Sequence, residues 1–133
     1  MKKRIIVLII VIVSLSIVYA ALYFATTTSK YTGEFSISNF SDKIENIDFQ
    51  TEKTYGRLND YKSAAAEGKA AIAEHFEDST GSIFKWMGCD VQYDQVNDVY
   101  YVRTYQLFPP VLGGAYDVIM KSDGTILAIW GEK

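Results

Sequence analysis

Cysteine and histidine are almost absent from this chain. Cys89 is the one cysteine and His75 the one histidine in 133 residues. A single cysteine cannot form a disulfide within the chain, so the fold must be held together by packing. With no third partner near them in the sequence, these two residues make a poor metal site or Cys–His nucleophile. We expect Cys89 in the core, His75 on a helix surface, and no bound cofactor or metal.

Recognisable catalytic motifs are also lacking. Gly113-Gly114 is not followed by the Lys-Ser/Thr pair and the helix of a phosphate-binding loop, and no serine lies in a Gly-x-Ser-x-Gly context. Asp90, Asp94 and Asp98 recur at four-residue steps, a spacing that departs from an EF-hand loop. We therefore predict no catalytic residues, no enzymatic activity and no small-molecule substrate.

Basic residues are in the minority after the first four positions. Without Lys2, Lys3 and Arg4, the chain has ten basic against sixteen acidic residues, a formal net charge of −6. A nucleic-acid-binding surface needs a basic face, so nucleic acid is excluded as a partner. An acidic surface fits solubility alone, or a surface complementary to a basic protein.

A long apolar run opens the chain. Ile5 to Ala25 contains 21 residues without a charge, and a helix of that length is roughly 31 Å long, close to the hydrocarbon thickness of a bilayer. The basic residues before it should stay in the cytoplasm, which places the rest of the chain outside. We predict that residues 1–25 are a single-pass membrane anchor. Cleavage as a signal peptide after Val18-Tyr19-Ala20 is the alternative, and would leave a secreted or periplasmic body.

The body begins with a region that the sequence defines poorly and continues with a clear helix. Residues 26–54 are read as a tether and an ill-defined stretch, with a short helix over Asp42 to Asn46 that Ser41 caps. A longer helix is predicted to begin after Asp60, its N-cap, and to stop by Gly81. Its apolar positions recur at three- and four-residue steps: Tyr61, Ala65, Gly68, Ile72 and Phe76.

From Cys89 onward the pattern changes to the two-residue period of β-strands. Four strands are predicted: Cys89 to Tyr93, Val99 to Leu107, Ala115 to Lys121 and Thr125 to Trp130. Residues 94–98 form the loop of the first hairpin. We therefore predict an α+β domain over residues 55–133, with the helix packed on a curved four-stranded antiparallel sheet.

Three glycines are predicted to have structural roles. Pro109-Pro110 interrupts the second strand, since proline cannot donate to a β-ladder. Gly113 and Gly114 should then form the bend or bulge that admits the third strand. Gly124 should supply the positive φ of the turn before the last strand.

The C-terminal region carries a series of short motifs. In chain order they are Val91-Gln92-Tyr93-Asp94, Val99-Tyr100-Tyr101-Val102, Leu112-Gly113-Gly114-Ala115-Tyr116-Asp117-Val118-Ile119, Lys121-Ser122-Asp123-Gly124-Thr125-Ile126-Leu127 and Trp130-Gly131-Glu132-Lys133. Preceded by an alanine-rich helix, this set resembles the small bacterial immunity proteins with a nuclear-transport-factor-2-like fold, a family of polymorphic toxin systems. The similarity covers roughly residues 55–133.

The resemblance implies a protein that binds and neutralises a cognate protein toxin, without catalytic residues. Tyrosine is a common residue at binding hot spots, and Tyr101 and Tyr105 are the predicted partner contacts. A helix followed by a meander with an Asp-Gly turn also resembles PepSY-type domains, which implies an extracytoplasmic peptidase-inhibitory or envelope-associated regulatory module. An enzyme that uses the pocket of the transport-factor-like fold would need a buried pair such as Asp–His, which a helical His75 does not favour.

Overall fold

The structure is a computed structural model that describes residues 1–45, 55–76, 87–106 and 114–132, without the side chains of residues 25–27, 45 and 106. Its described elements, in chain order, are α1 (Lys2–Thr27), β1 (Ser29–Glu34), a 3₁₀-helix (Ile37–Phe40), α2 (Ser41–Glu45), α3 (Tyr61–His75), β2 (Met87–Asp94), β3 (Val99–Gln106), β4 (Tyr116–Lys121) and β5 (Ile126–Gly131).

Helix α1 contains the predicted apolar segment. Residues Lys2–Phe24 form a helix that is long and apolar enough to cross a membrane, a property that signal sequences share. None of its most apolar stretch is buried among the residues that the structure describes. The predicted polar tether after this segment is wrong, because α1 continues to Thr27 and β1 begins at Ser29.

The five described strands form an open sheet in the order β1-β2-β3-β4-β5. β2 to β5 are antiparallel neighbours, as predicted, but β1 pairs with β2 in parallel. The prediction of four antiparallel strands is therefore wrong: the sheet has five strands and is mixed. β1 has the sequence SKYTGE and is mostly exposed, so it lacks the alternating apolar pattern by which a strand is recognised.

One face of the sheet is covered by α3. Asp60 caps this helix through a reciprocal capping box with Ser63, as expected for the predicted N-cap. Its buried residues are Ala64, Ala65, Gly68, Ala71 and Ile72. A Cβ atom on Gly68 would lie 2.9 Å from the Val102 side chain, so the missing side chain lets α3 lie directly against β3. Cys89 is buried on this face and His75 is exposed in the last turn, as predicted.

The opposite face of the sheet is partly covered by the 3₁₀-helix and α2. Phe35, Ile37, Phe40 and Ile44 pack on an apolar cluster whose buried members are Val99, Ile119 and Ala128. The backbone N–H of Ile37 donates to Asp94 Oδ2 at 2.9 Å, which fixes the 3₁₀-helix to the end of β2. The predicted short helix is present as α2, and it belongs to this layer.

The predicted turn glycine behaves as expected, whereas the other two remain untested. Gly124 has φ +92°, and a Cβ atom there would lie 2.1 Å from the Tyr55 carbonyl oxygen. Gly113 and Gly81 lie outside the described residues, but α3 ends earlier than the predicted stop, at His75 with Phe76 as its C-cap. Gly114 lies two residues before the start of β4 and is half-buried, so the role predicted for the two glycines stays a prediction.

Candidate functional site

Polar side chains cluster on the sheet face opposite α3, beyond the cover that the 3₁₀-helix and α2 provide. We call this cluster the polar patch, and it consists of Asp90, Arg103, Tyr105, Asp117 and Glu132. Strand register brings it together: Arg103 on β3 lies opposite Asp90 on β2 and opposite Asp117 on β4. Glu132 follows β5, two residues after the cross-strand neighbour of Asp117.

Arg103 and Glu132 form an ion pair at the surface of the patch. Arg103 Nη2 donates to Glu132 Oε2 at 2.7 Å, and the two side chains are 44% and 40% exposed. An exposed pair of this kind adds little to stability, because water screens the charges and two long side chains lose freedom. The pair holds a guanidinium and a carboxylate close together at the solvent-exposed part of the patch.

Tyr105 is held in a similar way. Its hydroxyl donates to Asp90 Oδ1 at 3.2 Å and its side chain is half-buried. Burial and the neighbouring Asp90 raise the pKa of Tyr105 to about 12, so the phenol stays a hydrogen-bond donor at physiological pH. The structure therefore places one of the two predicted partner contacts within the polar patch.

The other predicted contact, Tyr101, lies in an internal aromatic cluster. Its ring is 5.0 Å from Phe40, 5.7 Å from Phe35 and 6.2 Å from Trp130, between centroids. The side chain is half-buried, and burial together with a bond to Asp117 raises the pKa of Tyr101 well above its usual range. The Tyr101 hydroxyl donates to the buried Asp117, so its role as a partner contact stays a prediction.

Asp117 is the unusual residue of the patch. It has no exposed surface, and Tyr101 donates to its Oδ1 at 2.6 Å. Its Oδ2 accepts no hydrogen bond from any residue that the structure describes. Burial, followed by the charge of Glu132, raises the pKa of Asp117 to about 6, against the lowering effect of the Tyr101 bond and of Arg103. Buried polar atoms are usually satisfied, so this oxygen needs an explanation.

The acidic hairpin loop is occupied by its own hydrogen bonds. Asp94 is buried and accepts from the backbone N–H groups of Ile37, Val96 and Asn97. Asp98 accepts from the hydroxyl groups of Tyr93 and Ser122. These bonds lower the pKa of both carboxyls. In the described ranges, no group of three His, Cys, Asp or Glu residues is arranged to hold a metal ion.

Of the residues in the polar patch, the sequence analysis names Tyr105 alone as a partner contact, and that role stays a prediction. Arg103 is the one charged residue in the β3 sequence and Asp117 directly precedes the apolar run Val118-Ile119-Met120 of β4, and both positions were an available signal. Their proximity depends on the register of β3 with β4, which no local pattern specifies. Comparison with protein-family models, with characterised proteins and with solved structures finds no match for this chain.

Proposed function

We propose that this chain is a membrane-anchored immunity protein whose domain lies outside the cytoplasm and neutralises a protein toxin by binding it. The observation that supports this proposal best is the polar patch, in which Arg103 and Tyr105 are partly exposed and held in place by Glu132 and Asp90. The resemblance of residues 55–133 to immunity proteins implies that this partner is a protein toxin.

The residue types of the patch suit protein binding. Arginine and tyrosine are over-represented at binding hot spots, where a few residues carry most of the affinity. Arg103 and Tyr105 are already hydrogen-bonded in the free protein, so less side-chain freedom is lost when a partner docks.

Charge supports a basic partner. Outside the three basic residues at its start, the chain has a net charge of −6. Within the patch, Asp90 and Glu132 stand beside the single cation of Arg103. An acidic surface attracts a basic protein over distance and speeds association, an effect that salt weakens.

Helix α1 supports membrane attachment. Its apolar stretch has the length of a bilayer span. Lys2, Lys3 and Arg4 are the first residues of α1 and come directly before the uncharged run. By the positive-inside rule, this arrangement leaves the start of the chain in the cytoplasm and the sheet outside. Thr28 alone separates α1 from β1, so the domain would sit next to the membrane surface, where it would meet an incoming toxin.

A protection assay tests the binding proposal. The full-length chain would be co-expressed with the secreted product of the neighbouring gene, and survival compared with that of Arg103→Ala, Tyr105→Ala and the double variant. We expect the double variant to lose protection while its melting temperature stays close to that of the wild type, because both side chains are partly exposed.

Tyr31 offers a matched control, since it is a 50% exposed tyrosine on β1 whose ring contacts Tyr61 of α3. Tyr31→Ala should leave protection intact. If the double variant protects as well as the wild type, the patch is not the toxin-binding surface.

A further inference from the structure

Asp117 lies in an environment that disfavours its ionised form. The carboxyl has no exposed surface, and its Oδ2 lacks a donor among the described residues. An ionised oxygen without a hydrogen-bond partner raises the free energy of a protein interior, because no protein donor replaces the water molecules that hydrated it. A proton on Oδ2 would remove this cost if an acceptor lay within reach.

Glu132 is such an acceptor. The protonated carboxyl of Asp117 and the Glu132 carboxylate can share a hydrogen bond, while the two ionised groups repel each other. Glu132 is also the partner of Arg103, whose Nη2 lies 2.7 Å from Oε2. Arg103 is in turn the cross-strand neighbour of Asp117. One cation therefore stands between two carboxyls, and the structure shows it bonded to the exposed one.

The other elements around Asp117 add few charges. Tyr101 of β3 donates its hydroxyl to Oδ1, and Lys43 of α2 lies with its ammonium 5.7 Å from the centroid of Trp130, the β5 neighbour of Asp117. Asp90 of β2 accepts a hydrogen bond from the Tyr105 hydroxyl. The described part of the 3₁₀-helix contributes no titratable group.

We propose that protonation of Asp117 controls the Arg103–Glu132 ion pair and thereby makes the polar patch sensitive to pH. With the proton present, Asp117 donates a hydrogen bond to Glu132, and Glu132 stays paired with Arg103. When the proton leaves, the unpartnered Oδ2 draws Arg103 inward, and the exposed Glu132 is free for another cation. The consequence for toxin binding rests on the proposed function: above the titration of Asp117, Arg103 is withdrawn from the surface of the polar patch, so a partner that contacts Arg103 would bind less tightly than below it.

Carbon and nitrogen NMR on the full-length protein in detergent micelles tests the proposal without any partner. The carboxyl carbon of Asp117 and the guanidinium nitrogens of Arg103 would be followed from pH 4 to pH 8. We expect Asp117 to titrate near pH 6, where burial and Glu132 place its pKa, and the Arg103 signals to shift with the same midpoint. Glu132→Gln should lower that midpoint and abolish the coupled shift.

Glu34→Gln is the matched control, because Glu34 is an exposed carboxyl on β1, at the opposite edge of the sheet. It should leave both titrations unchanged. Titration of Asp117 below pH 5, or Arg103 signals that do not change while Asp117 titrates, would overturn the proposal. Since no toxin enters the experiment, failure of the immunity proposal would leave these outcomes unaffected.

Discussion

At the scale of single residues, the domain contains two kinds of acidic side chain. Asp94 and Asp98 accept several hydrogen bonds, which favour the ionised form and lower their pKa. Asp117 is buried with one oxygen unpartnered, and its pKa is raised to about 6. The same residue type therefore stabilises the fold in one place and opposes it in another, depending on the donors around it.

This difference predicts a specific dependence of stability on pH. Folding raises the pKa of Asp117 from 3.8 to about 6, so the folded protein binds this proton more tightly than the unfolded chain. The free energy of unfolding should fall by about 2–3 kcal/mol as the pH rises from about 4 to above 6, and the loss should persist at higher pH. Asp94 and Asp98 act oppositely: their contribution is present above pH 3.8 and is lost as the pH falls below it.

Thermal unfolding of Asp117→Asn in micelles, followed by near-ultraviolet circular dichroism, checks this expectation. The stability of the variant should vary less than that of the wild type between pH 4 and pH 8. Asp123→Asn is a suitable control, because Asp123 has a lowered pKa and titrates outside this range. Parallel curves for wild type and Asp117→Asn would show that Asp117 does not titrate there.

The site could be predicted only in part from single residues. The abundance of tyrosine in the strands pointed to Tyr105, which lies in the polar patch, and to Tyr101, which packs inside the aromatic cluster. The two lie on the same strand and the same face, so alternation could not separate them. Their environments differ because Tyr101 packs against Phe35 and the cluster beneath the 3₁₀-helix and α2.

At the scale of elements, the predictions succeeded where a local pattern decides the structure. α3 has a three- and four-residue apolar repeat and a polar cap, and the sequences of β2 to β5 have alternation or β-branched and aromatic content. β1 was missed because its pairing with β2 joins Ser29 to Cys89, sixty positions away. Parallel pairing at such a separation depends on the rest of the fold, and SKYTGE carries no signal for it.

The turn between β4 and β5 shows how closely elements depend on one backbone position. Gly124 has φ +92°, and its Cα faces the carbonyl of Tyr55 in the segment before α3. The backbone N–H of Tyr55 in turn donates to the Gly124 carbonyl at 3.0 Å. A side chain at this position would both strain the turn and push the segment away from the sheet.

Gly124→Ala should therefore destabilise the domain by on the order of 3 kcal/mol or more, from backbone strain and a clash together. Gly33 provides the comparison, since it has φ +127° but open space around its Cα. Gly33→Ala should cost about 1–2 kcal/mol, from backbone strain alone. Equal losses of melting temperature in the two variants would mean that the contact with Tyr55 has no energetic role.

At the scale of the whole molecule, the apolar residues of the chain lie in two different environments. α1 is apolar all round and lies unburied, whereas the apolar residues of the domain are collected on two sides of one sheet. Such a helix is long and apolar enough to cross a membrane, a property that signal sequences share. The basic residues at its start and the acidic body beyond it fit an anchor with an outward-facing domain.

The measurement that tests this arrangement most directly is a pair of reporter fusions to the full-length chain after Lys133. Alkaline phosphatase, which folds only outside the cytoplasm, should be active, and a fluorescent protein that folds only in the cytoplasm should be dark. The phosphatase fusion should also stay in the membrane fraction at its full length. An inactive phosphatase with a bright cytoplasmic reporter would contradict the proposed topology, and with it the account of the domain as an outward-facing binder.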